Sequence, residues 1–378
     1  SKDGEQDYFV EGMMDEVVTA LTRIRSIFVI ASASSLTLKG AEAAEAARRL
    51  GVRYILEGSV RRAGPRVRIA VKLADATGRE IWAERFEDTL EDVFALQDRV
   101  ALSVAGVIEP TVHAAESRRA ARRPLESLGS YDLYLRAAAL RVTLQKDQVL
   151  EAIKLLDAAL KLQPDFAPAL GQAAGCHSQV CANKWADDTE AHRRRGLEMA
   201  ERALAAGPDD PSVLAQTANA LVELDGDVHK AAGLIDRATT LNPGSAYAWF
   251  VSGIVELVGG EPDAAIEHLQ AAARLDPISR LGDIARAHVP MALAVRGDFE
   301  EAARHYRATT YRTPRIHLMM AAVYGHLGRI AEAHRELKAY ARESAVPAEV
   351  MANSIGGKAE ALALLREGLR RILSEGPA

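Results

Sequence analysis

The chain has 378 residues, 48% of them apolar and 26% charged, which excludes a disordered polymer and leaves room for two domains or one domain with a repeat array. A net charge of −5 excludes nucleic-acid binding by the electrostatics of the whole chain. The only two cysteines, Cys176 and Cys181, fall on different faces of a predicted helix, which excludes a disulfide framework.

In chain order, the first signal is helical. Phe9, Met13, Val17, Ala20, Leu21 and Ile24 recur at helical spacing between Tyr8 and Ile24. Ile27 to Ala31 is a short apolar run of strand type, and Ala41 to Leu50 reads as a second helix stopped by Gly51. The period then changes to two. Val52, Tyr54, Leu56 and Val60 alternate with polar residues, as do Val67, Ile69, Val71 and Leu73. Turns are expected at Ala63-Gly64-Pro65-Arg66 and Asp75-Ala76-Thr77-Gly78, with a third strand from Glu80 to Phe86. Leu90 to Ile108 is a long amphipathic helix that Pro110 is expected to end. The order α-β-α-β-β-β-α describes an α+β domain over residues 1–125, and one short strand before the meander suggests that a first strand is missing. The chain opens at Ser1 in mid-pattern and without an initiator methionine, so it reads as a fragment, and targeting signals could lie upstream.

Three strings in this region carry a resemblance. They are Glu5-Gln-Asp-Tyr-Phe-Val-Glu-Gly12, Gly51-Val-Arg-Tyr-Ile-Leu-Glu-Gly-Ser-Val60 and Ile81-Trp-Ala-Glu-Arg85. The first 110 residues or so resemble the TolB amino-terminal-like (FlgO-like) domain. That domain commonly lies between an output module and carboxy-terminal helical repeats. The output module is often a class III adenylate or guanylate cyclase domain, or a winged-helix DNA-binding domain. The resemblance implies an architecture and supplies no catalytic residues.

Residues 111–130 read as a boundary. The basic run Ser117-Arg-Arg-Ala-Ala-Arg-Arg-Pro124 is read as a solvated helix end, where the dipole favours arginine, over a phosphate or membrane-surface contact. From 131 to 347 the chain repeats a frame, Ala–x3–Leu–x2–Ala–x4–Pro. It occurs as Ala152, Leu156, Ala159, Pro164 and as Ala265, Leu269, Ala272, Pro277. Looser copies are Gly196, Ala200, Ala203, Pro208; Ala231, Ile235, Ala238, Pro243; and Ala302, Tyr306, Thr309, Pro314. A sixth, Ala333, Leu337, Tyr340, has Ala345 in place of the proline. The first positions are 44, 35, 34, 37 and 31 residues apart, the signature of a solenoid.

Each unit is expected to be an antiparallel pair of helices, A and B, that buries its apolar face only against a neighbour. Turns between A and B are predicted at Asp225-Gly-Asp227, Gly259-Gly260, Arg296-Gly-Asp298 and Gly328-Arg329. With Trp249 and Gly253 in the fourth helix A, the frame is similar to the tetratricopeptide repeat, a superhelix of helix pairs. The second unit is longer around Asn183–Thr189, and its Trp185 is either a partner contact or folded back onto the array. Lys358 to Leu373 reads as a final capping helix within residues 348–378.

That resemblance implies a concave face lined by A helices that takes a protein or peptide. The inner positions counted from the frame are Tyr134, Arg141, Asn219, Tyr247, Phe250 and Met291. Asn219 can donate to and accept from an extended backbone at once. Family members that grip terminal carboxylates carry several basic residues on this face, whereas only Arg141 does so here. The same face could instead serve a homodimer. No phosphate loop, dinucleotide fingerprint, zinc-protease helix or nucleophile elbow is present. Cys176, His177 and Cys181 lack a fourth metal partner at a familiar spacing. No catalytic site, metal or cofactor is therefore expected.

The expected role is a non-catalytic, protein-interacting regulatory region of a bacterial signalling protein, foremost a class III adenylate cyclase. The alternatives are an envelope scaffold resembling TolB and FlgO, or the sensor of a winged-helix regulator. The expected location is cytoplasmic, or periplasmic if a transmembrane helix lies upstream. No nucleic-acid contact or membrane insertion is expected of this region.

Overall fold

The computed structural model describes the chain except residues 1–9, 11–12, 15, 25–26, 31–37, 39, 64–65, 90–92, 122–128, 277–279, 355–358 and 375–378. It divides into two compact units, Ser1–Ala115 with Asn242–Gly244, and Glu116–Leu241 with Ser245–Ala378.

In the first unit, residues 16–22 are helical and are followed by α1 (Ala43–Leu50). Gly51 ends α1 in the left-handed conformation, φ 67°, and returns its amide to the Ala47 carbonyl. Three antiparallel strands follow, β1 (Tyr54–Ala63), β2 (Arg66–Asp75) and β3 (Glu80–Thr89), in the order β1-β2-β3. Alternation on β2 places Val67, Ile69, Val71 and Leu73 in the core, opposite Leu56 and Val60 of β1 and Trp82 and Phe86 of β3. Met13, Leu21 and Ile24 complete that core from one side of the sequence, and Leu96, Val100, Val104 and Ile108 of α2 (Val93–Ala121) from the other. At the β2–β3 turn the Asp75 carboxylate accepts from the Thr77 hydroxyl and amide and from the Arg79 amide, while Gly78 takes φ 84°.

Two expectations for this unit need correction. Residues 27–30 form no strand, and Phe28 is 86% exposed. An apolar run becomes a strand only where its amides find a ladder, and among the described residues the ladders join β1, β2 and β3 alone. Pro110 does not end its helix; α2 runs on to Ala121. An interior proline costs about 3 kcal/mol, yet the buried stripe of Val104, Ala105, Ile108 and Val112 continues in phase through it, and that burial outweighs the lost hydrogen bond. The first resemblance string, Glu5–Gly12, lies almost wholly outside the described residues.

The second unit is a succession of helix hairpins. The A helices are α3 (Ser130–Arg141), α5 (Ala167–Ala182), α7 (Pro211–Leu224), α9 (Ala246–Gly259), α11 (Arg280–Arg296) and α13 (Pro314–His326). Their B partners are α4 (Lys146–Leu162), α6 (Thr189–Ala206), α8 (Val228–Leu241), α10 (Pro262–Leu275), α12 (Phe299–Ala308) and α14 (Ile330–Glu343). Each A helix packs on its own B helix and on the next A helix. The repeat frame is the buried stripe of the B helices. Ala152, Leu156, Ala159, Ala200, Ala203, Ala231, Ala238, Ala265, Leu269, Ala272, Ala302 and Ala333 are all fully buried.

The A–B turns are as the sequence requires. Gly226, Gly260, Gly297 and Gly328 all take positive φ, between 67° and 95°. In the first two hairpins the left-handed position falls to Leu144 and Lys184. The extra length of the second hairpin is shared between a six-residue loop and longer helices, and Trp185 packs back against the hydrophobic cluster of α3–α6.

The fifth hairpin departs from the frame. Thr309 lies just past the end of α12 in extended conformation. Arg312 folds back with its guanidinium 3.9 Å from the Tyr306 ring centre and donates to the Tyr306 carbonyl, which ends the helix early. After α14, where the frame's proline is missing, the Tyr340 hydroxyl donates to the Val346 carbonyl and turns the chain instead. A seven-residue helix, α15 (Ala348–Ser354), precedes the final helix α16 (Ala359–Ser374), which packs on α13. No described helix is long and apolar enough to cross a membrane.

Candidate functional site

The face formed by the A helices carries a polar row that begins on a bare strip of α5. Gly171 and Gly175 are one turn apart, so both lack a side chain on the same side of the helix. A methyl group on Gly175 would lie 2.7 Å from Arg141 Cζ, and one on Gly171 would collide with the Gln216 side chain. The two glycines thus make room for the guanidinium from α3 and the amide from α7.

In this strip Arg141 Nη1 donates to Gln172 Oε1 at 3.2 Å, and Gln216 Nε2 donates to the same oxygen at 3.3 Å. Tyr247 of α9 brings its hydroxyl close to the guanidinium, as Tyr134 of α3 and the Cys176 thiol do more weakly. Burial pushes that thiol up to about 11, so it stays protonated and unreactive at neutral pH. Arg141 Nε, Tyr247 Oη and Gln216 Oε1 are buried without a hydrogen-bond partner.

Further along the same face, Phe250 meets the His288 imidazole edge-on at 5.3 Å. His288 Nδ1 donates to the Ile284 carbonyl at 2.7 Å, and burial holds its basicity below the ordinary imidazole value. Arg315 of α13 reaches Glu223 of α7 at 3.2 Å.

Of the six residues expected on this face, Tyr134, Arg141 and Tyr247 come together, and Phe250 adjoins Tyr247 at 6.4 Å. Asn219 is half-buried on α7, on the stripe that Gln216 and Glu223 share at helical spacing. Met291 is 8% exposed and belongs to the hydrophobic cluster of the last hairpins. Sequence reasoning missed Gln172, Gln216, Glu223, His288 and Arg315. The glycine pair at 171 and 175 was the available signal, because two glycines one turn apart inside a helix mark a close approach.

Among the described residues no group of three or more His, Cys, Asp or Glu is placed to hold a metal ion. Instead, His177 and His192 face each other, Nδ1 to Nδ1, at 2.9 Å. The Cys181 thiol donates to the Thr189 carbonyl. Burial, and then the neighbouring His192 and Arg195, lower the His177 value from 6.5 to about 4. As pH falls, the unfolded chain therefore takes up this proton first, and stability drops across that window. The loss is expected to reach up to about 3 kcal/mol. Glu336 acts in the same direction. Burial raises its carboxyl, but hydrogen bonds from His317 and Tyr306 outweigh that and hold it below the usual value. Urea denaturation at pH 7 and pH 4.5 should show a steeper loss for the native protein than for His177→Asn. Equal losses would place the pH dependence elsewhere.

No protein-family model matches the chain. Over 214 residues, 56% of its length, it is 33% identical to a protein of Rhizobium meliloti (strain 1021) described as "Putative adenylate cyclase 3". The match covers 36% of that protein, so the chain spans about a third of the length of this relative. Among solved structures, a thermophilic TPR protein of Thermus thermophilus is similar over 52% of this chain and 98% of its own, at 18% identity and a TM-score of 0.41. YrrB, described as a TPR protein with an unusual peptide-binding site, is similar over 58% of this chain and 97% of its own, at 15% identity and a TM-score of 0.31. These likenesses are to helical-repeat folds, and the second unit of this chain is likewise a succession of helix hairpins with a buried frame.

Proposed function

We propose that this chain is a non-catalytic regulatory and protein-interaction region of a bacterial adenylate cyclase of class III. The observation that carries the reading is the 33% identity to the adenylate cyclase-named protein, over a segment that is only 36% of that protein. The first unit, with its three-stranded meander, is assigned to the TolB amino-terminal-like class on the strings Gly51–Val60 and Ile81–Arg85. The array binds a protein segment along its A-helix face, and the same face in a second copy is the competing occupant. The mixed polar and aromatic lining of Gln172, Gln216, Tyr247, Phe250 and His288 suits an extended peptide better than a phosphate-rich polymer. The region works in the cytoplasm without membrane insertion or nucleic-acid contact. Partner binding shifts the output of the cyclase through the differential affinity of the array for its two states.

The test is an assay of cyclic AMP formation by the full-length gene product, comparing the native protein with Asn219→Ala and Tyr247→Ala. Both variants are expected to change partner-dependent activity several-fold while leaving the melting temperature of the array within a few degrees. A full-length product without cyclase activity, or one whose regulation ignores both substitutions, would sink the reading.

A further inference from the structure

We infer that the array is latched across its A-helix face and that the latch must open before a peptide binds along it. The inference rests on the reading of this face as a binding surface and adds how access to it is controlled.

Side-chain ties join hairpins that are not neighbours in the chain. Arg315, at the start of α13, reaches Glu223, near the end of α7, at 3.2 Å and across 92 residues of sequence. Arg280, the first residue of α11, donates to the Thr143 carbonyl in the turn of the first hairpin at 3.1 Å, across 137 residues. Its guanidinium also lies 5.7 Å from the Tyr311 ring centre, which steadies it. The Tyr247 hydroxyl of α9 lies close to the Arg141 guanidinium of α3. A solenoid repeat ordinarily touches only its neighbours, so these contacts mark a face that has closed on itself. An extended peptide needs about 5 Å of clearance even from a strand it pairs with. It cannot pass a point where opposite walls meet at 3.2 Å.

The latch is weak, and it is opposed. The Arg315 and Glu223 side chains are 28% and 21% exposed, so water and salt reach their ion pair and screen it. The bond from Arg280 to Thr143 is exposed as well. Against these ties, closure desolvates the Arg141 guanidinium among neutral partners and leaves Gln216 Oε1 buried without a hydrogen bond. Opening wets both groups and gives up contacts of modest strength. The closed and open forms therefore lie close in free energy, and salt, or a peptide that binds only the open face, shifts the balance between them.

The test is hydroxyl-radical footprinting of the full chain in sodium chloride, read by mass spectrometry at Tyr247 and Phe250, both half-buried on the face. Phe28, 86% exposed, normalises the radical dose, and Met199, 1% exposed, reports on the packed interior. Raising the salt from about 0.1 M to about 1 M shortens the screening length from about 10 Å to about 3 Å. Oxidation of Tyr247 and Phe250 should then rise about threefold or more while Met199 stays protected. Glu223→Gln should give the same rise at the lower salt, and the exchanged pair Glu223→Arg with Arg315→Glu should restore protection. An ion pair that only stabilises the array would expose Met199 together with Tyr247. Rates that ignore both salt and Glu223→Gln overturn the latch, as does a rise shared by Met199 or one that the exchanged pair fails to reverse. If a variant does not fold, the salt response of the native protein decides alone. The footprint needs neither partner nor cyclase activity. Its failure removes the latch alone, whereas a cyclase indifferent to Asn219→Ala and Tyr247→Ala removes the binding role of a face that still opens.

Discussion

Replacing Leu269 by alanine is expected to lower the stability of the array by about 3–5 kcal/mol, the upper part of the range for a buried leucine. Leu269 is fully buried in the fourth hairpin, one of the two that keep every position of the frame. The backbone of α9 approaches it so closely that a methyl group on Gly253 would lie 2.7 Å from Leu269 Cγ and 3.2 Å from the Ala265 carbonyl. The leucine therefore fills a slot that the glycine leaves open, and neither neighbour can collapse into the hole. Gly253→Ala has two opposed effects. Helix propensity favours alanine by about 1 kcal/mol, while overpacking against Leu269 and a backbone carbonyl costs about 1–3 kcal/mol. The net change is expected to be destabilising. In the Leu269→Ala background the clash with the side chain disappears, so the double variant should be more stable than the sum of the singles predicts. Urea denaturation of the four proteins measures this coupling. Simple additivity would show that α9 and α10 are not held apart by this pair.

The second large effect is expected at the end of the array. Gly325 of α13 and Gly368 of α16 oppose each other, and a methyl group on Gly368 would strike the Ala322 carbonyl. No side chain at either position can rotate away, because the obstacles include backbone. Gly325→Val should therefore separate α16 from α13 and expose Leu369 and Ile372, both now buried. Losing the cover of those two side chains should cost about 3 kcal/mol or more. It should also make residues 359–374 the first site of proteolysis, since a solenoid end needs its cap. Limited proteolysis with mass spectrometry reads the outcome directly. An unchanged cleavage pattern would mean that α16 is held mainly by other contacts, such as the bond between His326 and the Leu364 carbonyl.

Several features were legible from residues alone because they depend on local rules. A small residue at i followed by a mostly large one at i+4 and another residue of the same stripe at i+7, in one stretch after another, reads as the close-packed stripe of a helix. The fully buried Ala152, Ala200, Ala231, Ala265, Ala302 and Ala333 are that stripe. Gly226, Gly260, Gly297 and Gly328 could be read as turns because a left-handed residue favours glycine wherever it occurs. Where a local rule met a tertiary one, the tertiary one won. Pro110 should stop a helix, but the buried valines and isoleucine on either side keep it going. The run from Ile27 has strand composition, but composition does not supply a ladder.

The sequence by itself determined the class of architecture, an antiparallel meander followed by helical hairpins, through periods of two, 3.6 and about 34 residues. Only the tertiary structure decided what the A-helix face holds. Arg141, Gln172, Gln216 and Tyr247 come from four different helices, and only the two glutamines share a position in the repeat. They meet because Gly171 and Gly175 let α3 and α7 send polar side chains across α5.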